Sequence, residues 1–292
     1  MSDAQETRAI CMVCPHRCVI PEGKTGRCRA RGTRNGMVIP LNYGISTALA
    51  LDPIEKKPLA RFYPGSWILS FGSFGCNLNC PFCQNWEISM SDGKEYCQTG
   101  REMLSENYIS LEALVNMAEQ LRSKGNIGVA FTYNEPLIGY EFVLDTARLL
   151  KEKDLKVVLV TNGCVKDEIA DEVLPFVDAL NIDLKCFRED IYKTVLGGDL
   201  ETVQRFIEKA SACCHVELTN LIVPGMNDSE EELQSMVQWI ASLLHGEEIP
   251  LHITRFFPRY RFREKQPTDR STILRLVDVA RKRLKYVYPG NM

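Results

Sequence analysis

From about residue 66 onward, short apolar runs alternate with longer segments whose apolar residues have helical spacing. Runs that are apolar at almost every position are typical of parallel strands buried on both faces. Six or more such strand–helix units predict an α/β fold with an open or partial parallel β/α barrel, in which the chemistry lies at the carboxyl ends of the strands. The strands are predicted at 67–71, 127–133, 155–161, 179–184, 215–223, 251–257 and 285–288.

The helices predicted between these strands include one that begins after a capping Ser110 and one that runs from 189 to 210. The first 65 residues differ from this pattern, because they combine four cysteines with Pro and Gly turns. We therefore expect a small Cys-rich, metal-binding N-terminal lobe at 1–65 and a core domain at 66–292. Apolar residues make up 45% of the 292, which is enough to bury a sizeable core.

Charge and hydropathy argue against several kinds of partner. The formal net charge is -3, without the basic field that drives duplex binding, so no nucleic acid partner is expected. Residues 1–6 are polar and acidic, whereas a signal peptide begins basic and becomes apolar. The longest apolar stretches, 37–51 and 173–184, fall short of a membrane span. The sequence thus predicts a soluble, cytoplasmic protein with no membrane partner.

Three of the twelve cysteines form the segment Cys76-Asn-Leu-Asn-Cys80-Pro-Phe-Cys83. A loop this tight can turn three sulfurs toward one compact metal group. A structural zinc site needs four protein ligands, whereas a [4Fe–4S] cubane held by three thiolates leaves one iron open. The spacing favours the cubane, and a zinc site completed by a distant Cys or His is the alternative.

Four more cysteines, Cys11, Cys14, Cys18 and Cys28, are separated by two, three and nine residues. Four thiolates on a small, loop-rich segment fit a closed tetrahedral zinc site, which can fold a segment that has no core of its own. An auxiliary iron–sulfur cluster that feeds electrons to the first cluster is the alternative. His16, in the same segment, is expected to be solvated.

The remaining cysteines are Cys97, Cys164, Cys186, Cys213 and Cys214. Cys164 and Cys186 follow two predicted strand ends, and we interpret them as small buried side chains rather than ligands or radical relays. Cys213 and Cys214 open a predicted strand and are expected in the core.

Polar segments follow six successive predicted strands at the end where a barrel carries its chemistry. Taken singly, charged residues such as Asp183 and Lys185 have an alternative interpretation as a structural ion pair. Because a buried strand tolerates such charges only when they are paired or bound to a ligand, the whole set predicts a ligand site. The segments are the cysteine loop at 76–83, Thr132-Tyr-Asn-Glu-Pro136, Thr161-Asn-Gly163, Asn181-Ile-Asp-Leu-Lys185, 220–225, and His252 with Arg255.

Cys76, Cys80 and Cys83 are separated by three and then two residues, and Phe82 precedes the third cysteine. This pattern resembles the signature of radical S-adenosylmethionine (SAM) enzymes. The strand-end segments resemble the SAM-binding elements of that superfamily, most closely in pyruvate formate-lyase activating enzymes and AmmeMemoRadiSam-system radical SAM enzymes. The resemblance covers residues 11–291. The matching segments are Tyr133-Asn-Glu-Pro136, where many activating enzymes have Gly-Gly-Glu-Pro, Asp183-Leu-Lys185, the late His252, and, for the AmmeMemoRadiSam group, 83–89 and 286–291.

This resemblance implies a [4Fe–4S] cluster on Cys76, Cys80 and Cys83 whose open iron binds SAM. Reductive cleavage of SAM would give a 5′-deoxyadenosyl radical that abstracts hydrogen from a substrate. An electron donor of the flavodoxin or ferredoxin type is the implied partner. The implied SAM contacts are Phe82 and Gln84 near the adenine, Asn134 and Glu135 at the methionyl ammonium, Lys185 at its carboxylate, Asp183 at the nucleoside and His252 at the ribose.

Three functions are compatible with these patterns. The first is a radical SAM enzyme acting on a protein or peptide, as in glycyl-radical activation, and the second is a radical SAM enzyme acting on a small molecule. The third is a non-catalytic iron–sulfur or zinc protein, which would need no SAM pocket. Resemblance to activating enzymes favours a protein substrate, whereas the AmmeMemoRadiSam likeness argues the other way, because that name records companion proteins and no reaction.

Overall fold

The computed structural model describes residues 7–96 and 107–292. Residues 1–6, on which the argument against a signal peptide rests, and Cys97 lie outside the described residues. None of the helices in the described ranges is both long enough and apolar enough to cross a membrane.

Two small antiparallel sheets form before residue 41. In the first, β1 (Arg8–Ile10) pairs with β2 (Val19–Pro21), and in the second, β3 (Arg31–Arg34) pairs with β4 (Met37–Pro40). The four N-terminal cysteines lie in the segments between β1 and β3, and these short strands bury little core of their own.

One eight-stranded sheet forms the centre of the remaining fold. Its first pair is antiparallel, with β5 (Ala48–Pro53) against β6 (Trp67–Gly72), and every later pair is parallel. The strands follow one another in chain order, and β5 does not pair with β12 in the described part, so the barrel is open. The further strands are β7 (Asn126–Phe131), β8 (Lys156–Thr161), β9 (Ala179–Asp183), β10 (His215–Ile222), β11 (Leu251–Arg255) and β12 (Val287–Gly290). This arrangement confirms the predicted fold class.

Helices connect the parallel strands and cover the outer face of the sheet. Their apolar faces pack with the outward side chains of the strands in the largest hydrophobic cluster. Ser110 and Ser229 cap two of them, each hydroxyl accepting a hydrogen bond from a backbone N–H three residues later. The helices are α1 (Trp86–Ser89), α2 (Leu111–Gln120), α3 (Tyr140–Glu152), α4 (Asp167–Val173), α5 (Glu189–Ile191), α6 (Leu200–Ser211), α7 (Glu230–Ser242) and α8 (Arg270–Ala280).

The prediction of one continuous helix from 189 to 210 is wrong. After α5 the chain makes a π-helical turn at Tyr192–Leu196 and leaves the helix at Gly197, whose φ is 67°. Glycine ends a helix in this left-handed conformation because it has no Cβ to clash. Asp199 then starts α6, its carboxylate accepting a hydrogen bond from the N–H of Thr202 (2.8 Å).

Residues 54–62 fill the amino-terminal side of the barrel interior, and we call this segment the plug. Ile54, Leu59 and Phe62 of the plug form one buried cluster with inward-facing side chains of four neighbouring strands. Those side chains are Ile68, Ala130, Val158 and Ala179. The barrel interior is therefore packed on this side, which leaves the carboxyl ends of the strands as the place for a ligand site.

Two buried polar side chains fasten the plug to the strands. The carboxylate of Glu217 in β10 accepts the backbone N–H groups of Ala60 (2.9 Å) and Arg61 (2.7 Å). The amide of Asn181 in β9 donates to the carbonyl of Pro58 (2.9 Å). Both β5 and the plug belong to the stretch expected as a separate lobe, and they contribute directly to the sheet and its interior. The domain boundary at residue 65 stays a prediction.

Candidate active site

A cavity of about 320 Å³ lies at the carboxyl ends of the strands. Cys76, Cys80 and Cys83 all line this cavity, together with side chains that follow β7 and β9. Pro58 of the plug lines it as well. The polar strand-end segments and the cysteine loop thus meet around one space, as the carboxyl ends of adjacent parallel strands must.

Two of the three cysteine thiols, those of Cys76 and Cys80, are held in a largely dry environment. Burial raises the pKa of the Cys80 thiol to about 12, although the nearby Lys185 ammonium opposes this shift. Burial likewise raises the pKa of Cys76 well above its usual range. The Nδ2 of Asn162 lies 3.7 Å from the Cys76 sulfur and donates to it. Three thiols around one cavity fit an iron–sulfur cluster, because the charge of bound metal stabilises thiolates that water cannot solvate.

Asn134 fastens the cysteine loop to the end of β7. Its Oδ1 accepts the N–H of Ser73 (3.1 Å), while its Nδ2 donates to the carbonyls of Phe74 and Gly75 (3.1 Å each). Asn134 also lines the cavity, where the sequence predicts a contact with the methionyl ammonium. Because its amide already binds the loop backbone, its main action in this structure is to position that loop.

Glu135 is a buried carboxylate in the cavity wall. Its Oε1 accepts the Thr161 hydroxyl (2.7 Å) and the N–H of Leu137 (3.0 Å), and its Oε2 accepts the N–H of Asn162 (2.7 Å). Burial nevertheless raises the pKa of Glu135 to about 7, and these hydrogen bonds limit the shift. A buried carboxylate that lines a cavity and is only partly ionised at neutral pH fits a cationic ligand such as an ammonium group.

Asp183 and Lys185 form an ion pair at the end of β9, with 3.0 Å between Lys185 Nζ and Asp183 Oδ2. Burial would lower the pKa of Lys185, but the Asp183 carboxylate and the Cys80 thiol outweigh it and raise the pKa. Lys185 therefore stays cationic beside the cysteine loop. Both residues line the cavity, so the pair is structural and accessible to a ligand at the same time.

Phe82 and Gln84 also line the cavity, whereas His252 is absent from its lining residues. The His252 Nε2 lies 2.6 Å from Glu217 Oε2, and its ring stacks on Tyr288 with centroids 5.3 Å apart. His252 comes two positions before Thr254, which does line the cavity, so it lies deeper along the same face of β11. The structure thus brings six of the seven predicted SAM contacts together and leaves out the seventh.

Sequence reasoning missed a buried polar network on one side of the cavity. The Asp52 carboxylate of β5 accepts the Tyr133 hydroxyl (2.7 Å), the Ser70 hydroxyl (3.0 Å) and the Lys57 ammonium (2.8 Å). The Lys57 ammonium also lies over the Tyr133 ring, 4.7 Å from its centroid. Three buried or half-buried polar groups converge on one carboxylate, and Tyr133 connects them to the cavity.

Tyr133 has a φ of 72°, an uncommon conformation for a residue with a side chain. Its ring packs against Gly72, where an added Cβ would lie 2.6 Å from Tyr133 Cδ2. The Tyr in place of the first Gly of Gly-Gly-Glu-Pro was the only sequence signal for this network.

The four N-terminal cysteines face one small pocket next to the cysteine loop. Burial raises the pKa of Cys14 to about 12, and the neighbouring thiols add to this shift. Within the described ranges, no group of three or more Cys, His, Asp or Glu side chains is arranged closely enough to hold a single metal ion. Zinc and an auxiliary iron–sulfur cluster both stay predictions for this group.

His16 contacts the cysteine loop, so the prediction that it is solvated is wrong. Its Nε2 lies 3.0 Å from the carbonyl oxygen of Asn77, and the ring is half-buried. Cys164 and Cys186 are fully buried, as expected of small apolar side chains. Cys213 is exposed, which contradicts its predicted place in the core, because it lies in the turn between α6 and β10 rather than inside the strand.

Comparison with known proteins defines the class. The family model described as Radical SAM superfamily matches residues 71–240, and the chain belongs to this superfamily. It is therefore an enzyme of radical chemistry that uses a [4Fe–4S] cluster and SAM, which excludes the non-catalytic alternative.

Individual relatives place the chain more closely. It is 38% identical over 289 residues to an uncharacterized protein of Methanocaldococcus jannaschii, covering 98% of this chain and 82% of the relative. It is 27% identical to a pyruvate formate-lyase-activating enzyme of Clostridium pasteurianum, covering 61% and 71% of the two chains. Streptococcus suis SuiB bound to S-adenosylmethionine shares the fold, with a TM-score of 0.55, 12% identity, and 74% of this chain and 48% of that chain covered. Homology to activating enzymes confirms that part of the predicted resemblance, and the AmmeMemoRadiSam assignment stays a prediction.

Proposed function

We propose that this radical SAM enzyme abstracts hydrogen from a protein or peptide substrate, in the manner of a glycyl-radical activating enzyme. When bound, the cluster and SAM supply a 5′-deoxyadenosyl radical that removes a hydrogen atom from the substrate. The chain's own residues have to position SAM, keep water out and admit the substrate carbon.

The size of the cavity supports a substrate that approaches from outside. About 320 Å³ is at the small end of the range for ligand sites, and both the cluster and SAM belong in that space. Since the plug fills the other side of the barrel, the substrate has to present its reacting group at the mouth of the cavity. A polypeptide loop can do this while its remaining residues bind the outer surface.

For SAM binding, we propose that Glu135 accepts the methionyl ammonium and that Lys185 meets the carboxylate. A carboxylate and an ammonium that line the same cavity complement the two charges of an amino acid group. Phe82 and Gln84 would lie near the adenine, and Asp183 would orient the nucleoside. Asn134 would position the cysteine loop beside Glu135, and His252 would act on the ribose only at a distance, through Thr254 and the neighbouring strand.

We also propose that the N-terminal lobe, expected at 1–65, binds metal through Cys11, Cys14, Cys18 and Cys28. Because the lobe contacts the cysteine loop through His16, ordering one segment would help to order the other. Metal analysis of anaerobically purified protein separates the alternatives: about four irons with one zinc supports a zinc site, and about eight irons supports an auxiliary cluster.

Hydrogen transfer tests the proposed substrate class. A candidate glycyl-radical protein is labelled with deuterium at its glycines and incubated anaerobically with the enzyme, SAM and reductant. Mass spectrometry then measures deuterium in 5′-deoxyadenosine. Transfer of deuterium supports a protein substrate. Transfer only from a deuterated small molecule would contradict this proposal and establish the second function instead.

A further inference from the structure

The loop at 255–265, which we call the basic loop, follows β11 at the carboxyl ends of the strands and continues toward α8. We propose that it forms the docking surface for an acidic one-electron carrier protein that reduces the cluster. This inference rests on the cluster proposed at Cys76, Cys80 and Cys83. It goes further by assigning a binding site for the electron carrier on this chain.

The basic loop is attached directly to the cysteine loop. The backbone N–H groups of Arg261 and Phe262 both donate to the carbonyl of Pro81, at 3.0 and 3.1 Å. Pro81 lies between Cys80 and Cys83, so these bonds reach the segment that would hold the cluster. The Phe262 ring also packs against Phe82, with centroids 6.2 Å apart. A carrier bound to this loop would therefore be separated from the cluster by little protein.

The basic loop concentrates positive charge on a chain whose formal net charge is -3. Between 255 and 265 the sequence has five Arg or Lys residues and a single carboxylate, Glu264. Arg259, Arg261 and Arg263 are exposed. Among residues 7–96 and 107–292, Arg259 and Arg261 have no carboxylate within ion-pair distance, whereas Arg263 lies 3.5 Å from Glu264. The guanidinium groups of Arg259 and Arg261 are therefore available for an acidic partner.

A local basic patch affects the rate and the orientation with which an acidic carrier collides with the enzyme. The net negative charge of the chain repels such a carrier on average, and a basic patch beside the cluster orients the encounter toward the productive face. Electron-carrier complexes have small interfaces and short lifetimes, so steering contributes more to them than buried area does. The basic loop supplies that steering where the electron has to enter.

Aromatic side chains give the surface a fixed shape. Trp86 of α1 stacks on Tyr260 with centroids 5.0 Å apart and an interplanar angle of 10°. The Arg261 guanidinium lies over the same Tyr260 ring at 5.0 Å. These three side chains border a groove of about 800 Å³ that Arg259, Arg263 and one carboxylate, Glu87, also line, so arginines outnumber carboxylates in it. Arginine with Trp and Tyr is the composition enriched at protein interfaces.

The reaction at this surface is a transfer of one electron. The reduced flavin of the carrier loses the electron, the cluster gains it, and no covalent bond forms or breaks between the two proteins. The basic loop takes no part in the later cleavage of SAM, because none of Arg259, Arg261 and Arg263 lines the cavity.

Binding of a purified flavodoxin tests the surface without relying on turnover. The charge-reversed variant carries Arg259→Glu, Arg261→Glu and Arg263→Glu. The matched control carries Lys124→Glu, Lys282→Glu and Arg283→Glu, three exposed residues that precede strands at the opposite end of the sheet. Titration calorimetry should show wild-type affinity that falls with added salt, about tenfold or more weaker binding by the variant, and control affinity within about twofold of wild type.

The rate of turnover with two different reductants is the second test of the docking surface. With limiting reduced flavodoxin, the charge-reversed variant should form 5′-deoxyadenosine about tenfold or more slowly than wild type. With dithionite, a small reductant that needs no docking surface, both proteins should react at the same rate. This equality also shows that the variant is folded and holds its cluster.

Three results would contradict the proposal that the basic loop is a docking surface. One is equal flavodoxin affinity in the wild type, the variant and the control. Another is an equal loss of rate with flavodoxin and dithionite, which would assign the arginines to the active site. The third is tight binding of single-stranded RNA that disappears in the variant while flavodoxin-driven turnover is unchanged. If the wild type forms no 5′-deoxyadenosine with either reductant, the proposed function fails, and calorimetry still tests the surface separately.

Discussion

Replacing Glu135 with Gln should weaken the binding of SAM and remove the dependence of that binding on pH. Glu135 has a pKa of about 7, raised by burial, and it lines the cavity beside the cysteine loop. If its ionised form accepts the methionyl ammonium, SAM affinity in the wild type has to follow the ionised fraction of this carboxyl group. The affinity should then rise as pH increases through 7.

The expected magnitude follows from that pKa. Between pH 6 and pH 8 the ionised fraction rises from roughly one tenth to roughly nine tenths, which gives a roughly tenfold increase in affinity. A hydrogen bond to a charged group contributes about 1.5–3 kcal/mol. Glu135→Gln should therefore bind SAM roughly ten- to a hundredfold more weakly at pH 8, with an affinity that is nearly constant from pH 6 to 8.

Equilibrium binding of radiolabelled SAM to the anaerobically reconstituted enzyme measures both effects. The matched control is Glu264→Gln, because Glu264 is an exposed carboxylate outside the cavity, and it should keep the wild-type profile. A wild-type affinity that is flat from pH 6 to 8, or a Glu135→Gln variant that keeps the wild-type pH dependence, would show that ionised Glu135 does not bind the ammonium group.

Other predictions concern the plug and the buried network. Leu59→Ala should destabilise the protein by about 2–5 kcal/mol in denaturant unfolding, because Leu59 is fully buried, whereas the exposed Leu274→Ala should change stability by less than about 0.5 kcal/mol. Tyr133→Phe should cost about 1.5–3 kcal/mol by removing the hydrogen bond to Asp52, and an unchanged unfolding midpoint would contradict that contact. Burial would raise the pKa of Glu217, but hydrogen bonds from two histidines and the plug lower it from 4.5 to about 2. Glu217→Gln should therefore lose roughly 3 kcal/mol at pH 7, and the difference from wild type should persist above pH 4.5 and shrink as pH falls toward 2.

The parallel strands could be predicted because burial on both faces leaves a direct trace in the sequence. Residues 127–133 and 155–161 are apolar at nearly every position, and the structure has β7 and β8 there. The last strand was predicted at 285–288, whereas β12 lies at Val287–Gly290 and includes Pro289. The prediction stopped before this proline, because a strand accepts proline only at the edge of a sheet, which is where β12 lies. Helix continuity between 189 and 210 failed at Gly197, where one left-handed residue outweighs the helical spacing around it.

The plug could not be predicted, because its position depends on contacts distant in the sequence. Glu217 and Asn181 are polar residues within otherwise buried strands, and they bind backbone atoms of residues 58–61 more than 120 positions earlier. The sequence marks such residues as needing a partner and does not identify the partner. The same holds for Asp52, which meets Tyr133 only after β5 has paired with β6.

For the site, sequence spacing was sufficient to predict that the cysteine loop and the segments directly after the strands meet at one place, while their contacts with SAM stay predictions. Phe82, Gln84, Asn134, Glu135, Asp183 and Lys185 all line one cavity. His252 was the exception, because depth along a strand decides which inward-facing residue reaches the cavity. Thr254, two residues later, occupies that level of β11.

The yield of 5′-deoxyadenosine after anaerobic reduction with SAM tests whether the thiols in the cavity wall hold the cluster that cleaves SAM. The comparison is between the wild type, Cys80→Ser, which changes a thiol in the cavity wall, and Cys213→Ser, which changes an exposed thiol outside it. We expect a wild-type yield from Cys213→Ser and no 5′-deoxyadenosine from Cys80→Ser. A wild-type yield from Cys80→Ser would show that this thiol does not hold the cluster.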